Sequence, residues 1–302
     1  MEKIQHKKII WLDFENPGAD DILYLHENFN IHPLAIEEFV TPTFRSKATQ
    51  YDSCLFLTIH IPLYNVEKRT TYPGELDIVL TKDHLITGHT EGIYQLDEFR
   101  KKLQESEGKR MAYMGQSPAH LLYHLLQILI DSCFPKMDHV LKNLDEIEEE
   151  IFKGNEKDMV QEISVVKRDI LNFRRTLKPQ RSVLESVAQK SNIYVPEDIQ
   201  PYFQELIGAN IRLWNTLESA KETVESLEET NNSLLSNKLE MTMKILTIFS
   251  AIMLPMTVYS NILAMSAEIP FGRHPQGFWI HMAIMLLLSL ITMGFFKAKK
   301  WF

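Results

Sequence analysis

The sequence predicts an α+β membrane protein: a cytosolic α/β domain with a helical hairpin, then a long stalk helix continuing into the first of two C-terminal transmembrane helices. Three observations predict it. Runs rich in β-branched and aromatic residues are confined to the text before Glu91. No Pro or Gly interrupts the text between Ala209 and Pro255. Near the C-terminal end, two apolar stretches stay free of formal charge over about the 20 residues a helix needs to cross a bilayer. The boundaries these patterns imply are 1–115 for the α/β domain, 116–200 for the hairpin region, 201–240 for the stalk and 241–302 for the two spans.

In the first domain, Lys8-Ile-Ile-Trp-Leu-Asp reads as a strand, and Asn16-Pro-Gly-Ala-Asp as a turn into a helix over Asp20 to Phe29. Cys54-Leu-Phe-Leu-Thr-Ile-His-Ile and Leu76-Asp-Ile-Val-Leu follow as strands, and Lys82-Asp-His turns the chain into Leu85-Ile-Thr-Gly. His60, His84 and His89 share no metal-ligand spacing and read as surface or strand-end residues. The basic N-terminus lacks the apolar core of a signal peptide, so no cleavage is expected. Cys54 and Cys133 stand apart in apolar text, as buried free thiols of a reducing compartment do.

Helical text begins beyond Glu91. Ser117 caps and Pro118 opens a soluble helix, Pro135 kinks or restarts it, and an acidic block at Asp145, Glu146, Glu148, Glu149 and Glu150 ends in the turn Lys153-Gly154-Asn155. Such a block is a solvated face or a collector of cations. A basic helix from about Asp158 to Gln189 then runs back and partly neutralises it. From Pro201 to Leu263 a single helix would be about 95 Å long at its 1.5 Å rise per residue. Its seam is Leu213, Leu217, Ala220, Val224, Leu227, Asn231 and Leu234. The formal net charge of −8 argues against a nucleic-acid partner and for cations.

In the first span Met243, Thr247, Ser250, Leu254, Thr257 and Asn261 recur at steps of four and three, which puts them on one stripe. Lipid offers a hydroxyl or amide no partner, so the stripe faces protein or water. It is either a packing seam or a pore wall, and the segment by itself leans to the seam. The second span covers about Phe278 to Phe296. Lys238 and Lys244 before the first span, and Lys299 and Lys300 after the second, place both termini in the cytoplasm of a multi-pass protein of the plasma or inner membrane. The lone His281 reads as an interfacial residue. No phosphate loop, HExxH or nucleophile setting is present in the sequence, so an enzyme is not expected.

Taken together, this layout resembles the CorA family of divalent-cation (Mg²⁺/Co²⁺) transport proteins over nearly the whole chain. The matching text is Ile31-His-Pro-Leu-Ala-Ile-Glu-Glu, Tyr123 through Phe134-Pro-Lys-Met-Asp, Arg174-Arg-Thr-Leu-Lys-Pro-Gln-Arg, Pro201-Tyr-Phe-Gln-Glu, Lys244-Ile-Leu-Thr-Ile-Phe and Leu254-Pro-Met-Thr, in this order. The resemblance implies a homopentamer in the bilayer whose first spans surround an axial pore, lined by Glu240, Met243, Leu246, Thr247, Ser250, Leu254, Thr257 and Asn261. Met243 and Leu246 would form a hydrophobic constriction, and Glu240 stands at the inner mouth where the family often has Asn. Family members that carry Mg²⁺ have Gly-Met-Asn after the first span; here Ala264-Met265-Ser266 takes its place, with Glu268 in the outer loop. Asn261 then offers an amide ring deeper in the pore. The resemblance also implies a regulatory divalent cation, Mg²⁺ as both cargo and regulator, at Glu205, with Asn65 or Glu67 of a neighbouring subunit as its partner. The expected function is a passive divalent-cation channel gated by cytosolic metal. The alternatives are a non-conducting metal sensor or modulatory subunit and, within transport, a zinc carrier.

Overall fold

The computed structural model describes residues 1–90, 92–190, 194–265 and 275–299. Packing divides the chain into two units, Met1–Glu228 and Glu229–Phe302. The first is built on a six-stranded mixed sheet of β1 (Glu2–His6), β2 (Ile9–Glu15), β3 (Lys47–Gln50), β4 (Leu55–Asn65), β5 (Thr70–Leu80) and β6 (His84–His89), in the order β1-β2-β6-β5-β4-β3. Only the β2–β6 pair is parallel. The apolar runs recognised in the sequence supply β2 and the three strands next to it in the sheet. The edge strands β1 and β3 have no apolar run to announce them, and pairing with β2 and β4 defines them.

Helices α1 (Ala19–Asn28) and α2 (Pro33–Glu38) cover one face around Leu12, Phe14, Leu25, Phe39 and Phe56. Gly88 is required there, because a Cβ would lie 2.5 Å from the Phe39 ring. The remaining helices of the α/β region are α3 (Tyr94–Glu105), α4 (Glu107–Met114) and α5 (Pro118–Asp131), and α5 packs on β6. Ser117 caps α5 as its sequence predicts, its Oγ accepting the His120 N–H at 3.3 Å. After Ser132 the chain restarts as α6 (Cys133–Phe152), turns at Lys153–Asn155, and returns as α7 (Glu156–Leu177) against β4 and β5. The single basic helix read from the sequence is in fact two. Pro179 has no N–H to give and crowds the preceding turn, so α7 stops and α8 (Gln180–Lys190) begins.

The reading of the histidines as surface or strand-end residues is corrected in part. His84 and His89 do stand at the ends of β6, but His60 lies inside β4, and His60 and His89 are buried, not superficial. His60 Nε2 lies 2.7 Å from the Thr43 carbonyl and its Nδ1 2.9 Å from Ser46 Oγ. His89 lies 3.6 Å from Asp13, which also accepts from Thr87 and Arg100 at 2.5 Å each. Burial pushes the Asp13 carboxyl up, but the hydrogen bonds from His89 and Thr87 and the charges of His89 and Arg100 outweigh it and hold it below its usual range. The strand pattern shows alternation but not that helices cover the strand ends as well. Both thiols are free and buried as expected, and burial pushes Cys133 up to about 12.

The basic helix does not neutralise the acidic one. Lys167 pairs with Glu228 at 2.5 Å, and Arg174 pairs with Glu218 and lies 5.3 Å over Trp214. All three partners belong to α9 (Gln200–Ala264), a helix of 65 residues with Pro255 inside it. The acidic block stays solvated and pairs locally, Lys153 with Glu149 and Glu150, and Lys142 with Glu146. Leu213, Leu217, Ala220, Val224 and Leu227 on the expected seam are buried, so these residues bury their apolar stripe within their own chain. The second unit holds the rest of α9 and α10 (Gly277–Ala298), and both helices are long and apolar enough to cross a membrane.

Candidate ion pathway

Within the second unit α9 has two unlike faces. Lys244, Ile248, Ala251, Ile252, Pro255, Met256, Tyr259 and Leu263 are buried or half-buried. On α10 the half-buried residues are Ile280, His281, Met285, Leu288, Ser289, Thr292 and Phe296, again at helical spacing. A hydrogen bond joins the two sets, Tyr259 Oη to His281 Nδ1 at 2.8 Å. This is the seam between the spans, and it is mostly apolar.

Every residue predicted to line a pathway lies off that seam. Glu240, Met243, Leu246, Thr247, Ser250, Leu254, Thr257 and Asn261 are all exposed, Leu254 most of the apolar three at 69%. At about 100° per residue the stripe from Met243 to Asn261 centres roughly 150° away from the seam. The lean toward a packing seam that the segment carried by itself is therefore overturned for contacts inside one chain.

The hydroxyls on this stripe are satisfied by their own helix. Thr247 Oγ1 donates to the Met243 carbonyl at 2.7 Å, Ser250 Oγ to Leu246 at 2.8 Å, and Thr257 Oγ1 to Met253 at 2.9 Å. The need for a partner does not by itself force these residues toward water. It does fix their polarity: with each proton turned back to the backbone, the hydroxyl oxygen presents lone pairs outward, the correct sign for a cation. Asn261 differs, since its amide is exposed and makes no hydrogen bond among the described residues. Ala264 ends α9, and Met265, exposed, donates its N–H to the Ile262 carbonyl at 3.2 Å. Ser266 and Glu268 lie outside the described residues.

Glu205 is exposed in the second turn of α9. Its electrostatic neighbours within the chain include Tyr123 and Asp131, the last residue of α5, whose carboxyl is pushed up by burial and then by the charge of Glu205, with Arg212 opposing. Sequence spacing missed Asp131 because it is far from Glu205 in the chain. The expected partners sit at the β4–β5 turn, where the Asn65 side chain accepts the Lys68 N–H at 2.9 Å and Glu67 is exposed. No hydrogen bond or ion pair joins either to Glu205 among the described residues. Nor does any group of three or more His, Cys, Asp or Glu side chains there form a metal centre.

An α/β unit whose last helix runs on as the first of two membrane-length helices has the architecture of a two-span membrane protein. Comparison with known proteins gives the family. Residues 6–299 match the family described as CorA-like Mg²⁺ transporter protein, and the chain belongs to that family, whose members are ion transporters and not enzymes. Among curated relatives it is 27% identical to the cobalt/magnesium transport protein CorA of Thermotoga maritima, over 96% of this chain and 83% of that one. It is 26% identical to the putative metal ion transporter YfjQ of Bacillus subtilis, over 100% and 93%. The fold matches the complete structure of the CorA magnesium transporter from Methanocaldococcus jannaschii with a TM-score of 0.84 at 20% identity, covering 100% of this chain and 95% of that one. It matches full-length CmaX with a TM-score of 0.78 at 19% identity, covering 97% and 89%.

Proposed function

We propose that the chain is one subunit of a homopentameric, passive divalent-cation channel, with Mg²⁺ or a related ion such as Co²⁺ as its cargo. The observation that carries this reading is the uncovered stripe of α9, which faces away from α10 and displays outward-pointing hydroxyl oxygens between apolar residues. Five such stripes around an axis make stacked rings. Glu240 supplies carboxylates at the inner mouth, and Met243, Leu246 and Leu254 supply apolar collars that stop ions by dewetting when narrow. Thr247, Ser250 and Thr257 supply oxygens that hydrogen-bond the water shell of a cation that dehydrates reluctantly. Both termini lie in the cytoplasm, and the membrane potential drives cation entry. Cytosolic divalent metal, held at a subunit boundary that includes Glu205, closes the pore.

Asn261 replaces part of what Ala264-Met265-Ser266 lacks relative to Gly-Met-Asn. Mg²⁺ and Co²⁺ uptake into proteoliposomes tests the reading, with chemical cross-linking to count subunits. Asn261→Ala and Asn261→Gly, with or without Ser266→Asn, should shift selectivity, and identical selectivity in every variant removes Asn261 from the filter. The altered motif favours one second reading, a non-conducting metal sensor. Retained metal binding with no flux of any divalent ion tested would establish it and exclude the channel.

A further inference from the structure

We infer that the Tyr259–His281 hydrogen bond is a clamp that sets the orientation of the pore helix beyond Pro255, which makes both side chains positioning residues for transport. The inference rests on the reading that α9 lines the pathway. Tyr259 Oη lies 2.8 Å from His281 Nδ1, with the rings 6.0 Å apart at 52°. Tyr259 is on the half-buried face of α9, while Thr257 and Asn261 flank it on the exposed face. Two residues along a helix is a rotation of about 200°, so any turn of Tyr259 about the helix axis swings both lining groups by the same angle.

A clamp matters at this place because of the proline one turn before it. Pro255 has no N–H for the Ala251 carbonyl, and its ring crowds that carbonyl, so α9 has a built-in pivot there. Beyond the pivot, the half-buried residues of α9 other than Tyr259 are Met256 and Leu263. Apolar contacts between helices in lipid are non-directional and have no hydrophobic driving force to hold one angle. A hydrogen bond has a direction. Tyr259–His281 therefore chooses among rotations that packing leaves nearly equal.

The chemistry also gives the clamp a direction. A phenol is a good donor and a neutral imidazole nitrogen a good acceptor, so the Tyr259 hydroxyl donates to Nδ1 and the ring proton sits on Nε2. That Nε2 is buried and meets no hydrogen-bond partner among the described residues. The elements packed around the ring are α9 and α10, and neither carries a formal charge between Ile245 and Met265 or between Gly277 and Phe296. Along these stretches no charged side chain of either helix competes for the bond.

The test uses full-length protein in proteoliposomes with Mg²⁺ as the probe. Tyr259→Phe keeps the ring and removes the donor; His281→Asn keeps an acceptor; His281→Phe removes the acceptor. Tyr259→Phe and His281→Phe should change Mg²⁺ flux about fivefold, the population shift one ordinary hydrogen bond allows, while His281→Asn stays near wild type. Two readouts do not depend on transport: the ¹⁵N shift of labelled His281, which should lose its acceptor signature in Tyr259→Phe, and the rate at which a water-soluble thiol reagent modifies Thr257→Cys, which should change in the same variant. If the wild type moves no divalent ion, the channel reading fails and these two readouts still decide the clamp. If the wild type conducts, and Tyr259→Phe matches it in flux and in Thr257→Cys reactivity, the clamp is refuted and the channel stands.

Discussion

Asp77→Asn should make the sheet more stable at neutral and alkaline pH and flatten its pH dependence. Asp77 lies on β5 opposite Thr58 of β4 and Gly88 of β6, is buried, and accepts the Thr58 hydroxyl at 2.6 Å. Beside it is a small cavity of about 30 Å³, also lined by Phe39, Glu75, Gly88 and His89. Burial, then the charge of Glu75, raises the Asp77 carboxyl from 3.8 to about 8, against the opposing hydrogen bond from Thr58. The unfolded chain therefore releases this proton near pH 4 and the folded chain only near pH 8. Between those values the folded state holds one proton more, so the slope of stability with pH is negative. The contribution of the group is complete below about pH 4 and is lost as pH rises through 8. At about 1.4 kcal/mol per unit, three units between pH 4 and 7 give an upper bound of about 4 kcal/mol, which water entering the cavity reduces. Asparagine stays neutral throughout and still accepts from Thr58. The expected gain is about 1–3 kcal/mol at pH 8 and near zero at pH 4. Amide hydrogen exchange of β4 and β5 in the full-length protein, corrected for the intrinsic pH dependence of exchange, measures it. Parallel pH profiles for the variant and the wild type would refute the assignment of a protonated Asp77.

Three further outcomes are expected. Leu254→Ser should wet the apolar collar and raise divalent flux at high internal Mg²⁺, read as dye-reported uptake into Mg²⁺-loaded vesicles; flux as low as wild type would remove Leu254 from the gate. Glu205→Ala should weaken closure by internal divalent metal and let the Asp131 carboxyl titrate lower, because a neighbouring negative charge is gone; metal-response curves and carboxyl ¹³C shifts follow the two effects. Gly88→Ala should destabilise the sheet by about 1–3 kcal/mol, since its Cβ arrives 2.5 Å from the Phe39 ring, and a thermal scan with Phe39→Leu as the relieving second change checks it.

Much of the architecture was legible because long patterns are robust. The stalk expected from Pro201 to Leu263 is the helix Gln200–Ala264, and the second span expected from Phe278 to Phe296 is Gly277–Ala298. Short elements were not legible: β1 and β3 form because a neighbour offers a ladder, and neither has an apolar run of its own. The α7–α8 break was written in Pro179 but outweighed by the helical pattern around it. The burial of His60 and His89 depends on cover from distant segments, which no local pattern reports.

The sequence by itself determined the fold class, the two spans and the family, because hydropathy and helix periodicity act over tens of residues and the motifs recur in order. Tertiary structure decided which face of the first span is free. By spacing, residues 243–261 fit either a seam or a pore wall, with a lean to the seam, since spacing fixes only which residues share a side. Which side meets a neighbour depends on where α10 lies, and α10 takes the face of Ile248, Pro255 and Tyr259. On the face that remains, the hydroxyl protons of Thr247, Ser250 and Thr257 turn back to their own helix, a bond the helix itself provides, and leave oxygen lone pairs outward.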